Sequence, residues 1–167
     1  MLTMFLIQFI FIARDNLASR LEGGAVSALT YAYFIMQVPE TLIGTAIGTA
    51  LLPTLSELEA KENRREFEAV LNRTIRVIIA TSMIFVVLLS LILGPLVESI
   101  FGFNPDQTNL LVWVTRAYLL GLVGHSLLEV VSRAYYARYN AKTPFFVTLL
   151  RAVIFIVLAL VFLKSFG

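Results

Sequence analysis

Residues 24–56 read GAVSALTYAYFIMQVPETLIGTAIGTALLPTLS, and the fold turns on how this stretch is read. It is long, rich in small residues and nearly uncharged: between Ala25 and Leu52 the one formal charge is Glu40, directly after Pro39. An apolar run of about 20 residues is enough to span a bilayer as a helix. This run is longer, so it must tilt, kink or overshoot the hydrocarbon. Pro39 is the natural place for a kink, because it lacks the N–H that would bond one turn back and its ring crowds that carbonyl. Gly44 and Gly48, echoed by Ala46 and Ala50, make a small-xxx-small face on which another helix backbone can come close. Pro53 and Ser56 mark the exit from the membrane. The stretch reads as a kinked transmembrane helix inside a bundle, and packing alone would produce the same pattern.

The rest of the chain agrees with a bilayer setting. Of its 167 residues 59% are hydrophobic, with a mean hydropathy of +0.86, whereas soluble chains average about 45–50% apolar. The expected class is all-α, a polytopic transmembrane helix bundle of about five spans, with residues 1–167 forming a single membrane domain. With no cysteine and one histidine, disulfides, thiol chemistry and a cysteine- or histidine-based metal site are not expected, and no cofactor is. The net charge of +2 is small and its basic residues lie between apolar runs, so nucleic acid is not expected as a partner.

The first span is expected over about Leu2–Leu21. It has neither the basic start nor the small-residue cleavage site of a secretory leader. Arg14, Asp15, Asn16 and Ser19 crowd its C-terminal third. Arg14 and Asp15 are adjacent, pointing about 100° apart on a helix, so they are not expected to pair; Asp15 and Ser19, four apart, share a face. Arg20 can snorkel to the interface. Glu57–Arg73, ELEAKENRREFEAVLNR, reads as an amphipathic linker helix at the membrane surface. A third span is expected over about Thr74–Leu93, broken at Gly94-Pro95, and Asp106 is a candidate N-cap after a loop. The fourth, about Thr108–Arg133, carries Arg116, His125, Glu129 and Arg133. The last three are spaced four apart and form a polar stripe, read either as an internally neutralised packing surface or as a cavity wall or proton-linked site. Pro144 opens the fifth span, about Phe145–Leu163. Both chain ends look like cuts through a larger membrane protein. The linker and the Ala134–Thr143 loop hold most of the loop lysines and arginines, which puts both on the cytoplasmic side.

An ordered set of short motifs resembles the MurJ/MviN family of lipid II flippases, within the superfamily of multidrug, oligosaccharidyl-lipid and polysaccharide exporters. Asp15-Asn-Leu-Ala-Ser19, Gly24-Ala-Val-Ser-Ala-Leu29, Tyr31-Ala32, Gln37-Val-Pro39, Gly44, Leu52-Pro-x-Leu-Ser56, Gly94-Pro-Leu96, Ile100-Phe101, Thr115-Arg-Ala117, Arg133-Ala-Tyr-Tyr-Ala137 and Lys142-Thr-Pro144 fall in the family's order along nearly the whole chain. The resemblance implies a two-lobed flippase fold, of which this chain is the start of the second lobe, spans seven to eleven of about fourteen. It also implies the function: moving an undecaprenyl-pyrophosphate-linked peptidoglycan precursor from the inner to the outer leaflet of the bacterial inner membrane by alternating access, with the first lobe of the same protein and membrane lipids as partners and no enzymatic step. A polar head with a pyrophosphate cannot cross hydrocarbon unless a polar cavity replaces water, and arginine suits the phosphate oxygens because its planar fork pairs them bidentately.

On this resemblance the substrate cavity residues are Arg14, Asp15, Ser19, Tyr31, Phe34 and Gln37, with His125, Glu129 and Arg133 as an ion or polar stripe for proton or monovalent-cation coupling. The chain departs from the family's Tyr-Ala-Asp-Arg at Tyr31-Ala32-Tyr33-Phe34, where a cavity arginine is usual, and Gln37 and Glu40-Thr41 also differ. Arg14 is then the candidate for a relocated cation. Alternatives to a flippase are a cation-coupled exporter of the same superfamily and a non-transporting membrane scaffold in cell-wall synthesis.

Overall fold

The computed structural model describes the backbone of residues 2–21 and 23–166, and the described residues are helical apart from turns. The order is α1 (Leu2–Ala18), α2 (Ala25–Glu40), a π-helical segment (Thr41–Thr45), α3 (Ala46–Ala60), α4 (Arg64–Phe101), α5 (Pro105–Ala137) and α6 (Lys142–Phe166). The protein is an all-helical bundle, as expected. Among the described residues four stretches are long and apolar enough to cross a membrane: Ala25–Ala60, Arg64–Phe101, Pro105–Ala137 and Lys142–Phe162. The expected fifth, α1, is described over 17 residues, at the short end of the range for a span. Large apolar side chains such as Phe5, Ile84, Leu91, Leu120 and Val161 face outward, which in water would be a liability and in lipid is the favoured arrangement.

The chain divides into two compact units, Met1–Ser27 with Asn140–Gly167 and Ala28–Tyr139. In the first, α1 packs on α6. The carboxamide oxygen of Asn140 accepts from the backbone N–H groups of Lys142 and Thr143, both at 3.2 Å. These donors are orphaned at any helix start, and capturing them starts α6 at Lys142, two residues before Pro144.

In the second unit α4 and α5 pack along each other and α3 packs against both. Three buried clusters hold it together. One gathers Ile43, Leu51, Leu55, Phe67, Ile78 and Val130; a second Ala32, Leu93, Val97, Leu111 and Val112; a third Met36, Val86, Leu119 and Leu122.

Four local expectations are corrected. The stretch 57–73 is not one helix. Its first residues end α3 at Ala60, and Asn63 then caps α4, accepting from the Glu66 N–H while its own amide donates to the Glu66 carboxylate at 2.6 Å. The Asn63 side chain takes up an amide left unpaired at the start of α4, and this N-cap is the boundary that the charge run masked. Gly94-Pro95 does not break the membrane helix, because α4 runs to Phe101. Leu93 and Val97 flank the proline and are wholly buried in the second cluster, so packing outweighs the one lost backbone bond, as it does elsewhere in membrane helices. Asn104, with Pro105 as the first helical residue, is the cap of α5, and Asp106 lies in the first turn; proline suits that position because its missing N–H would be unpaired anyway. After Pro39 the irregularity is a π-helical segment, with helix resuming at Ala46. An inserted residue of this kind re-registers everything beyond it.

Candidate functional site

The site is built from one polar stripe on α5 and the small-residue face that the π-helical segment and α3 present to it. Glycine at 44 and 48 sets the approach. A Cβ built on Gly44 would lie 3.1 Å from the Ser126 Cα, and one on Gly48 would lie 3.4 Å from Arg133 Cγ, 3.6 Å from Val130 Cγ2 and 3.7 Å from Glu129 Cγ. Gly44 and Gly48 therefore pack as expected, with α5 as their partner, whereas Ala46 and Ala50, expected to echo them, are exposed. Position 40 faces 125, 44 faces 126, and 48 faces 129–133. The pairs advance in the same direction, so the two helices run parallel.

Within this seam the stripe divides into two pairs. Glu129 and Arg133 are joined at 2.5 Å, both side chains about seven-tenths buried. His125 does not join them. Its Nδ1 lies 3.8 Å from Oε1 of Glu40, across on the neighbouring helix. Glu40 was the lone charge of the opening stretch, and that was the signal available for it; its partner could not be read, because it lies 85 positions away on another helix. The Glu40 side chain is 14% exposed and His125 36%. An unmatched carboxylate within a span costs about 2.5–3.5 kcal/mol on insertion scales, so a basic neighbour is what the position requires. The hydroxyl of Ser126 and Nε of Arg133 are buried without a hydrogen-bond partner among the described residues. The arrangement offers two carboxylates, one guanidinium, one imidazole and unused donors in a tight interhelical seam.

Tyr31, Phe34 and Gln37 are on α2 in the same unit. Tyr31 packs on the rings of Phe101 and Phe103, at 5.2 and 6.1 Å. Phe34 is exposed and Gln37 half-buried. Farther along α5, Arg116 donates to the Ser90 carbonyl at 3.3 Å and lies over Trp113.

Arg14, Asp15 and Ser19 are in the other unit. Arg14 and Asp15 pair, at 2.8–2.9 Å, contrary to the expectation from their spacing. The long arginine arm closes an offset that two short side chains could not. The Arg14 guanidinium also lies 4.9 Å from the Phe11 ring centre, and its side chain is 10% exposed against 45% for Asp15. The shared face of Asp15 and Ser19 is not used as a side-chain contact, since the Ser19 hydroxyl donates to the Asn16 carbonyl at 2.8 Å.

The family profile described as lipid II flippase MurJ matches residues 1–167. The chain belongs to the MurJ family. Relatives named as MurJ flippases include that of Burkholderia cenocepacia, 34% identical over 140 residues, which is 82% of this chain and 27% of the relative. The probable MurJ of Thermotoga maritima is 30% identical over 151 residues, 89% and 31% of the two chains. A solved structure titled lipid II flippase MurJ, inward closed conformation, superposes with a TM-score of 0.87 at 25% identity, covering 99% of this chain and 36% of that one. The chain thus spans about a third of the length of these MurJ relatives, and the family's named members are membrane transporters.

Proposed function

We propose that the protein carrying this segment moves lipid II, the undecaprenyl-pyrophosphate-linked peptidoglycan precursor, from the inner to the outer leaflet of a bacterial inner membrane. This segment supplies the start of the second lobe and part of the cavity wall. The observation that supports the reading most is the family match over the full 167 residues, joined to a fold likeness that covers 99% of the chain. The 57–73 and 134–143 segments, which hold most of the loop lysines and arginines, face the cytoplasm in this reading, and the protein catalyses no covalent step.

The residues add a qualification to where the precursor would be held. With Phe34 in place of the usual cavity arginine, the cation nearest in role is Arg14, and its charge is already met by Asp15. A pyrophosphate would then have to displace or share that pairing, in keeping with the bidentate geometry that arginine offers phosphate. The test is depletion of the full-length protein in its own cell, with the outer-leaflet accessibility of lipid II as readout. Accumulation of inaccessible lipid II, rescued by the wild-type gene and not by Arg14→Ala or Asp15→Ala, supports the reading. Unchanged accessibility in a cell with no second flippase contradicts it and favours the cation-coupled exporter.

A further inference from the structure

Glu40 stands where α2 gives way to the π-helical segment, directly after Pro39. Its carboxylate reaches the imidazole of His125 on α5 at 3.8 Å. Four residues on, a Cβ at Gly44 would lie 3.1 Å from the Ser126 Cα, so the glutamate and histidine sit at one end of a close helix–helix approach. Sum the ionisable groups of the seam. Glu40 and Glu129 give two negative charges and Arg133 one positive; with a neutral imidazole the seam carries one net negative charge, and with an imidazolium it carries none. In a low-dielectric setting the balanced state is the one that needs no outside counter-charge. Glu129 is already taken by Arg133, which leaves Glu40 as the carboxylate that a proton on His125 would answer.

On α2 the other titratable side chains are Tyr31, packed on Phe101 and Phe103, and Tyr33, packed on Tyr118. Helix α4, packed against both α5 and the π-helical segment, has no titratable side chain between Arg76 and Glu98. In α3 the titratable side chains are Glu57 and Glu59, both in its last turn, and Glu59 pairs with Arg138. On α5 the nearest besides the stripe are Tyr118 and Arg116, and Arg116 is bonded to the Ser90 carbonyl.

We propose that Glu40 and His125 form a proton-binding site that clamps the π-helical segment to α5. The ligand is a single proton, held on the imidazole and countered by the carboxylate. The sign follows from the chemistry. Histidine changes charge between about pH 5 and 8, and an attraction exists only while the imidazole is charged and the carboxylate ionised. The clamp therefore closes on acidification from neutral pH and loosens as pH rises and the imidazole loses its proton. A π-helical segment is a suitable element to clamp, because such single turns interrupt regular helix and occur mostly at functional sites.

The test uses the full-length protein in lipid nanodiscs, with nitroxide labels on cysteines placed at Leu42 and Leu120. Both side chains are well exposed, at 61% and 77%. Distance distributions are recorded at about pH 8 and about pH 5.5, where histidine changes charge and most carboxylates do not. The expected result is a distribution that narrows at the lower pH in the wild-type background and does not respond in His125→Gln or Glu40→Gln. Glu40→Gln is nearly isosteric, so it carries the test if the histidine variant fails to fold. A wild-type distribution indifferent to pH overturns the proposal, as does a pH response that survives in either variant. No cargo is present in the experiment, so its outcome is independent of which lipid the protein moves.

Discussion

At Gly44 an added methyl group would be crowded against backbone. The nearest atom to an added Cβ is the Ser126 Cα at 3.1 Å, and backbone cannot swing away as a side-chain end can. Gly44→Ala should therefore destabilise the full-length protein by about 1–3 kcal/mol, the usual cost of overpacking, seen as a lower thermal midpoint in detergent. Gly124→Ala, two residues from Ser126 and facing open space, should hold or raise the midpoint, since alanine is the better helix former. The same seam predicts a coupling between Glu129 and Arg133. Each single change to alanine should cost more than half of the double change, with an interaction energy of about 0.5–3 kcal/mol in a double-mutant cycle. Additive losses would mean that the 2.5 Å contact contributes nothing. At this scale the sequence was legible where the relation is periodic along one helix, as with Glu129 and Arg133 four apart. It was not legible where the relation crosses helices, as with Glu40 and His125, or where a long side chain ignores helical geometry, as Arg14 does in reaching Asp15.

Helix boundaries depend on a few backbone hydrogen bonds, and here charge composition misled. The run 57–73 looked like one surface helix because its polar residues are nearly continuous; what divides it is the Asn63 N-cap and its side-chain bond to Glu66. Asn63→Ala should cost about 1 kcal/mol, the typical loss on removing an N-cap, and should raise amide exchange in the first turn of α4 while leaving its membrane portion protected. Proline was the other misleading signal. Pro95 lies inside a 38-residue helix, and Pro95→Ala should keep that helix intact and hold or raise the thermal midpoint, since it restores an N–H to the ladder. A lower midpoint would show that the proline shapes the helix rather than being tolerated by it. By contrast, the element types and their apolar character were plain in the sequence, because lipid permits little besides helices for an open chain of this composition.

For the molecule as a whole, the fold likeness and the family match concern about a third of the length of the relatives, and the cavity of a two-lobed flippase needs both lobes. The proposal accordingly attaches to the full-length protein. The measurement that tests it most directly is transbilayer movement in liposomes reconstituted with that protein, using headgroup-labelled lipid II loaded in one leaflet and a labelled phospholipid as control. The account predicts that lipid II becomes accessible in the opposite leaflet, that the phospholipid does not, and that Arg14→Ala slows the movement at least about tenfold, as expected for an interaction worth roughly 1.4 kcal/mol. Folded, correctly inserted protein that leaves lipid II in its original leaflet would contradict it.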